Sequence, residues 1–196
     1  MRRSLRTIFF LCFVILTWLS SCEKEVNPAA EAGWEISENE IGGSLTPWPL
    51  IDDPSFSHIE GARKLDPGEK VFVYQGSQHL YVFPVREMTR VEIVNFNTGQ
   101  YPVTVTYCPL TKSAVAWKSI YEQDTLSFTP SGYLYRSDLL PYDYQTESIW
   151  SQMRLEGVRG RHAGQKLHYL PLLETRWSTI QAHFHETLIF TGINET

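Results

Sequence analysis

The chain has 196 residues, of which 42% are hydrophobic and 20% are charged. These proportions are ordinary for a globular protein and exclude disorder of the whole chain, while the length suits one domain better than two. The formal net charge is −5 and no cluster of lysine and arginine occurs, which argues against a nucleic-acid partner.

Residues 1–21 have the three-part pattern of an export signal. Three arginines within the first six residues form a positive start, and Ile8–Leu19 is an apolar stretch of 12 residues. Such a stretch is too short to cross ~30 Å of hydrocarbon as a helix, which takes roughly 20 residues. The next residues, 19–22, read Leu-Ser-Ser-Cys and match the lipobox of bacterial lipoproteins.

Cys22 is therefore predicted to carry a lipid as the first residue of the mature protein. Small residues before it suit the signal peptidase, and two acyl chains on its thiol give a stable anchor in the lipid bilayer. The alternative is an ordinary secretory signal with a chance cysteine. The charged run at 23–25 has two interpretations: it resembles a surface-export signal, and it is equally compatible with a solvated tether. We expect the protein to be located in the cell envelope, outside the cytoplasm, at the outer membrane or the cell surface.

The mature chain is acidic and has a single free thiol. The signal holds three of the 17 basic residues and none of the 22 acidic ones, which leaves a net charge of −8. Of the three cysteines, Cys12 leaves with the signal and Cys22 is acylated. Cys108 then has no partner for an intramolecular disulfide, and the domain must be held together by its core.

Residues 22–43 are polar and contain proline and glycine, so they are predicted to form the lipidated cysteine and a flexible tether. The domain is predicted over 44–196. Its first segment is irregular and rich in proline and aspartate, but its apolar residues indicate that it packs against the rest.

Short β-rich segments bounded by turn residues dominate the domain. In 101–107 valine alternates with threonine, the pattern of a half-buried strand. One late helix is predicted over 175–184, because Trp177, Ile180 and Phe184 share a face. The expected fold is mainly β, a single compact domain of short, mostly antiparallel strands. The strands are predicted at 70–74, 79–85, 91–96, 101–107, 115–120, 125–129, 133–136, 166–170 and 187–190.

Five segments carry a set of motifs: WPLIDDPSF (48–56), VEIVNF (91–96), TYCPLTKSA (106–114), SGYLYRSDLLPYDYQTESIWSQ (131–152) and GQKLHYLPLLETRW (164–177). Together they resemble the family catalogued as domain of unknown function 3179. The likeness covers about residues 46–190, and the chain is a divergent lipoprotein member by this comparison. Because the activity of the family is not established, the resemblance implies a fold and a site location and no reaction.

The chain departs from this family at four positions of its motifs. The second cysteine of the family's C-P-L-C motif falls at Thr111 and the next glycine at Lys112, while its first-motif histidine and aspartate fall at Val91 and Phe96. A threonine hydroxyl forms no disulfide and is a poor ligand for a soft metal. The matched polar positions are Cys108, Asp143, Ser148, Trp150, Ser151 and Gln152.

The candidate site residues are Cys108, Asp143, Ser148, Trp150 and Gln152. The last three share a face if 146–152 is a strand, which would give a ligand pocket with an aromatic wall. The alternative is a structural network in which Asp143 accepts backbone N–H groups. Cys108 is correspondingly either a reactive thiol or a buried small hydrophobe. His183 and His185 are weak metal candidates, because a metal site needs three or four convergent ligands.

Three functions are compatible with these residues. The first is a non-catalytic domain that binds an envelope ligand or a protein partner, as the losses at Val91, Phe96 and Thr111 indicate. The second is thiol-redox chemistry or copper handling by Cys108, in which copper would be the cofactor. The third is an envelope glycan-binding module, based on six tryptophans and ten tyrosines. No nucleophile-elbow, phosphate-loop or zinc-protease motif occurs, so an enzyme is not the expectation.

Overall fold

A computed structural model describes residues 33–59 and 65–193. In these two ranges the chain forms mostly short strands with two α-helices, which confirms the mainly-β fold and its antiparallel character. The helices are α1 (Val85–Val91) and α2 (Trp177–His183). The strands are β1 (Ile41–Gly43), β2 (Pro54–His58), β3 (Lys70–Gln75), β4 (Leu80–Pro84), β5 (Ile93–Asn97), β6 (Pro102–Cys108), β7 (Ser113–Lys118), β8 (Ile120–Tyr121), β9 (Asp124–Thr125), β10 (Phe128–Tyr135), β11 (Asp138–Asp143), β12 (Ile149–Ser151), β13 (Glu156–Arg159), β14 (His168–Leu170), β15 (Leu173–Arg176) and β16 (Thr187–Ile193).

The strands form three larger sheets and the small β8–β9 hairpin. Sheet 1 has the order β1-β10-β11-β12-β13, sheet 2 the order β14-β7-β6-β5, and sheet 3 the order β15-β3-β4-β16-β2. Neighbouring strands are antiparallel except for β4 and β16, which run parallel.

Sheet 2 is the middle layer of the domain. Its residues Val94 and Val105 pack with Phe83 of sheet 3, whereas Ile93 and Trp117 pack on the opposite side with residues of sheet 1. Helix α2 covers the other face of sheet 3 through Trp177 and Ile180. Because sheet 2 is covered on both faces, its strands are buried on both faces too.

This arrangement corrects the prediction of a half-buried strand at 101–107. Thr104 and Thr106 of β6 are as fully buried as the valines between them. The Thr104 hydroxyl lies 2.6 Å from the Ser119 hydroxyl, and the Thr106 hydroxyl donates to the Val115 carbonyl at 3.2 Å. Threonine is tolerated here because each hydroxyl finds a polar partner inside the protein.

The domain begins earlier than the predicted boundary at residue 44. Ile41–Gly43 pairs with β10, and Ile36 is buried against Leu140 of sheet 1, so residues 33–43 belong to the domain rather than to the tether. Sequence composition did not reveal this, because the segment has only a few apolar residues among many polar ones.

The helices also differ from the prediction. Helix α2 ends at His183, so Phe184 leaves the predicted apolar face and is exposed. Helix α1 was not predicted, because it has only seven residues and follows a β-rich segment directly. It is held by burial of Met88 and Val91, and Glu92, the residue that follows it, has a φ of 59°.

Candidate functional site

Three turns from sheets 1 and 2 meet beside Cys108. One turn joins β6 to β7, the second joins β10 to β11, and the third follows β12. Side chains from all three make a set of contacts that we call the three-turn cluster, formed by Cys108, Thr111, Ser113, Asp138 and Gln152. The cluster therefore brings together two of the predicted site residues, Cys108 and Gln152, with three that were not predicted as such.

Cys108 lies at the inner side of the cluster. Its side chain is 1% exposed and packs with the tryptophans and other apolar side chains between sheets 1 and 2. Its thiol contacts the Ser137 carbonyl oxygen, with an Sγ–O distance of 3.4 Å. Burial with a weak hydrogen bond is the usual situation of a cysteine that acts as a small hydrophobe.

Asp138, the first residue of β11, is the centre of the polar contacts and is 8% exposed. Its Oδ1 accepts hydrogen bonds from the Thr111 hydroxyl at 2.8 Å, the Ser113 hydroxyl at 3.0 Å and Gln152 Nε2 at 3.2 Å. Gln152 Nε2 also donates to the Ser113 hydroxyl oxygen at 2.7 Å. The Thr111 and Ser113 hydroxyls and the Gln152 amide thus converge on one carboxylate oxygen.

Two buried acceptors of the cluster have no donor. Neither Asp138 Oδ2 nor Gln152 Oε1 is reached by a hydrogen-bond donor of the described residues. Unpartnered buried acceptors are uncommon, and this pair belongs to side chains that contact each other. The other such atoms belong to four residues that form no hydrogen bonds with one another: Glu69, His79, Trp117 and His162.

Two arginines on the turns of the cluster are engaged elsewhere. Arg136 binds Glu40 through two nitrogens, at 2.7 and 2.9 Å, and this hydrogen bonding holds the pKa of the Glu40 carboxyl below its usual value. Arg154 pairs with Glu156 at 3.0 Å. Among the described residues, no lysine, arginine or histidine forms an ion pair with Asp138.

The turn between β10 and β11 is unusual in its residues. Arg136 and Ser137 have φ values of 50° and 67°, which is the geometry of a two-residue hairpin turn that normally contains asparagine and glycine. Two non-glycine residues in this conformation store strain. The turn places the Ser137 carbonyl over Cys108 and starts β11 at Asp138.

Asp143, Thr146, Ser148 and Trp150 form a separate set of contacts, which we call the Asp143 network. Asp143 Oδ1 accepts the Thr146 backbone N–H at 2.7 Å, and its Oδ2 accepts the Trp150 indole N–H at 2.7 Å. The Thr146 hydroxyl lies 2.8 Å from both oxygens and 2.9 Å from the Ser148 hydroxyl. Every carboxylate oxygen of Asp143 therefore has a donor, as expected of a structural corner.

The predicted common face of Ser148, Trp150 and Gln152 divides between these two sets. The strand is shorter than 146–152, because β12 covers only Ile149–Ser151 and its pairing with β13 shifts between Ile149 and Trp150. All three side chains are buried, but Gln152 bonds within the three-turn cluster and the other two within the Asp143 network.

The remaining predicted residues lie apart from the cluster. His183 ends α2 and His185 follows it, and both are exposed. Within residues 33–59 and 65–193, no three side chains of histidine, cysteine, aspartate or glutamate are placed to hold a metal ion. Cys22 lies outside the described residues. No helix in the described part of the chain has both the length and the apolar character that a membrane span requires.

The fold and the site together define a three-sheet β domain with a buried polar cluster at the turns between two sheets. A family model described as protein of unknown function (DUF3179) matches residues 47–195, and the chain belongs to this family. No curated protein and no solved structure was found to match the chain. The family description names no reaction, so the function has to be argued from the site.

Asp138, Ser113 and Thr111 are the site residues that sequence reasoning missed. Thr111 was noted only as the residue at the family's second cysteine position, yet its hydroxyl donates to Asp138. Asp138 lies inside the matched 131–152 segment. An aspartate next to a turn is usually solvated, so only the tertiary contacts distinguish it.

Proposed function

We propose that the protein is a lipid-anchored component of the cell envelope whose β domain binds a ligand or partner at the three-turn cluster without catalysing a reaction on it. The export signal and the lipobox ending at Cys22 support the location. The three-turn cluster supports binding, and the losses at Val91, Phe96 and Thr111 argue against a reaction.

The observation that carries the proposal is the pair of unpartnered acceptors, Asp138 Oδ2 and Gln152 Oε1. A buried acceptor without a donor costs about 1–3 kcal/mol of stability. The neighbouring Asp143 network shows that the same fold satisfies a buried aspartate completely. Buried polar groups are normally partnered, so these two acceptors call for a donor from outside the described side chains, and a ligand is the donor that we propose.

Two exposed apolar side chains lie on the turns that carry cluster residues. Leu110, on the turn after Cys108, is 66% exposed, and Met153, directly after Gln152, is 59% exposed. A polar centre with apolar side chains around it resembles the usual composition of a binding site.

The two alternatives from the sequence, a redox or copper-handling thiol and a glycan-binding module, have less support from the three-turn cluster. Redox chemistry and copper binding by Cys108 need a second thiol or further metal ligands, whereas the described residues contain no other cysteine and no group of three metal ligands. A glycan-binding site needs exposed aromatic rings; Trp117, Trp150 and Trp177 lie in the core, whereas Trp48, Tyr144 and Tyr169 are exposed, and none of these six belongs to the three-turn cluster.

Photo-crosslinking in intact cells tests the binding function. We expect a crosslinkable amino acid at Leu110 or Met153 to give a defined adduct that disappears when Asp138→Asn is added. The matched control is the same amino acid at Leu173, which is 61% exposed on β15. The proposal fails if positions 110 and 153 give no adduct, or if the adduct is indifferent to Asp138→Asn.

Metabolic labelling with a fatty acid tests the anchor separately. The wild-type protein is expected to incorporate the label and to fractionate with membranes, and Cys22→Ser is expected to lose both properties. Label in the Cys22→Ser protein, or none in the wild type, would refute the anchor.

A further inference from the structure

We infer that the three-turn cluster binds an alkylammonium group, either of a small amine or of a lysine side chain in a partner protein. This inference deepens the binding function proposed above and rests on it. It names the chemical class that completes the hydrogen bonding of Asp138 and Gln152.

The unpartnered atoms decide the polarity of the ligand. Asp138 Oδ2 is a carboxylate oxygen and Gln152 Oε1 is an amide oxygen, and both are hydrogen-bond acceptors. The ligand must therefore supply donors. Carboxylates and sulfates present only acceptors at neutral pH, and phosphates are anionic and present mainly acceptors, so these groups do not fit.

The charge of the cluster favours a cationic donor over a neutral one. Asp138 is 8% exposed, and no basic side chain of residues 33–59 and 65–193 forms an ion pair with it. A buried carboxylate gains most from a positive partner, because charge-assisted hydrogen bonds are the stronger ones.

The geometry favours ammonium over guanidinium. A guanidinium binds a carboxylate best through two parallel hydrogen bonds, one to each oxygen. Asp138 Oδ1 already accepts three hydrogen bonds from Thr111, Ser113 and Gln152, so only Oδ2 is available. An ammonium group has three independent donors, which is more than the two unpartnered acceptors require.

A metal ion fits these oxygens less well. Calcium takes six to eight oxygen ligands and magnesium requires a nearly ideal octahedron. The cluster offers two unpartnered oxygens, and the described residues contain no group of three acidic, histidine or cysteine ligands around a common point.

Leu110 and Met153 supply a surface for the carbon chain of the ligand. Both side chains are exposed on turns that border the cluster. The stem of a lysine packs readily on apolar side chains while its charged end makes polar contacts. A lysine is therefore expected to bind more tightly than a minimal amine.

An NMR titration of the full-length protein in detergent micelles tests the inference. Methylammonium should shift the Gln152 side-chain amide signal saturably, with a Kd of roughly 1–10 mM, as suits so small a ligand. Tetramethylammonium, which has no N–H donor, and guanidinium should not shift it. Nα-acetyl-lysine amide keeps the side-chain ammonium group. It should bind at least about tenfold more tightly than methylammonium if a lysine is the ligand, and as tightly as methylammonium if a small amine is the ligand.

Asp138→Asn should weaken methylammonium binding at least about tenfold, whereas Asp124→Asn, an exposed aspartate on β9, should leave it unchanged. The inference is wrong if methylammonium causes no shift, if tetramethylammonium causes the same shift, or if Asp138→Asn binds normally. The comparison of the two amines needs no substitution, so it holds even if Asp138→Asn does not fold. If the titration shows no binding but a crosslinked adduct forms at Leu110, the ammonium ligand is refuted and the binding function still stands.

Discussion

Asp138 and Asp143 begin and end the same strand, β11, and both are buried. They differ in how their carboxylate oxygens are used. Both oxygens of Asp143 accept hydrogen bonds from its own corner of sheet 1, whereas one oxygen of Asp138 has no donor. The contrast separates an aspartate whose hydrogen bonds are complete within the fold from one that has an acceptor left over, and the binding proposal rests on this difference.

Burial of Cys108 predicts a thiol that reacts slowly. In the native protein, alkylation of Cys108 should be at least about 100-fold slower than in the urea-unfolded protein, because the reagent reaches it only after local opening. Mass spectrometry measures the rate, and Cys108→Ser identifies the labelled site. Labelling at the rate of an exposed thiol would instead favour the redox alternative.

Glu92 predicts a pH-dependent effect on stability. Burial raises the pKa of its carboxyl above the usual value. A carboxyl with a higher pKa in the folded state destabilises the fold while it is ionised, and this penalty disappears as the pH falls through the folded pKa. Glu92→Gln should therefore raise the free energy of unfolding at pH 7 by about 0.5 kcal/mol, a small value because the side chain is partly solvated.

Urea unfolding at two pH values checks this effect. The difference between Glu92→Gln and the wild type should vanish below about pH 4, where the carboxyl is protonated in both states. A difference of the same size at both pH values would show that the ionisation of Glu92 is not its cause.

At the scale of elements, the middle sheet depends on polar contacts inside it. Asn95 of β5 donates through Nδ2 to the carbonyls of Ile51 and Phe128, both at 2.8 Å. Its Oδ1 accepts the Thr104 hydroxyl and the Phe128 backbone N–H, both at 2.9 Å. These bonds use the whole capacity of the amide and connect β5 to β6, to β10 and to the segment before β2.

Asn95→Leu should therefore lower the free energy of unfolding by about 3–5 kcal/mol, because it leaves several buried backbone groups without partners. Asn97→Leu is the matched control on the same strand, since Asn97 is exposed and accepts one backbone N–H of a turn. Urea denaturation measures both variants. Equal, small effects would mean that water replaces the Asn95 amide.

The N-terminal segment gives a second prediction at this scale. A chain that begins at residue 44 should be less stable than one that begins at residue 33, by about 3 kcal/mol, because it loses the β1–β10 pairing and the burial of Ile36. Thermal and urea unfolding of the two chains provide the comparison. Identical stabilities would show that residues 33–43 only rest on the surface.

At the scale of the whole molecule, alternation and turn residues were enough to locate most strands of sheets 2 and 3. They could not assign the layers, because a strand of valine and threonine looks half-buried until a second sheet covers its threonine face, as in β6. Helix α1 and strand β13 are short and have no distinctive pattern.

Only part of the site could be predicted from the sequence, because contacts between distant segments leave no local pattern. Cys108 and Gln152 stand in recognisable motifs, so the sequence indicated the region. Asp138 joins them only because a strained turn and the hairpin after Cys108 meet in space. Contacts between residues about 25 positions apart have no signature in the sequence of either segment.

The unfolding free energies of Asp138→Asn and Asp143→Asn, measured together in urea, test most directly whether the three-turn cluster serves binding rather than stability. Asparagine at 138 keeps the oxygen that accepts the three donors, so we expect a change below about 1 kcal/mol. Asparagine at 143 sets an amide against the Thr146 or Trp150 donors, so we expect a loss of about 3 kcal/mol. An equal loss at both positions would contradict the account, because the cluster would then be structural.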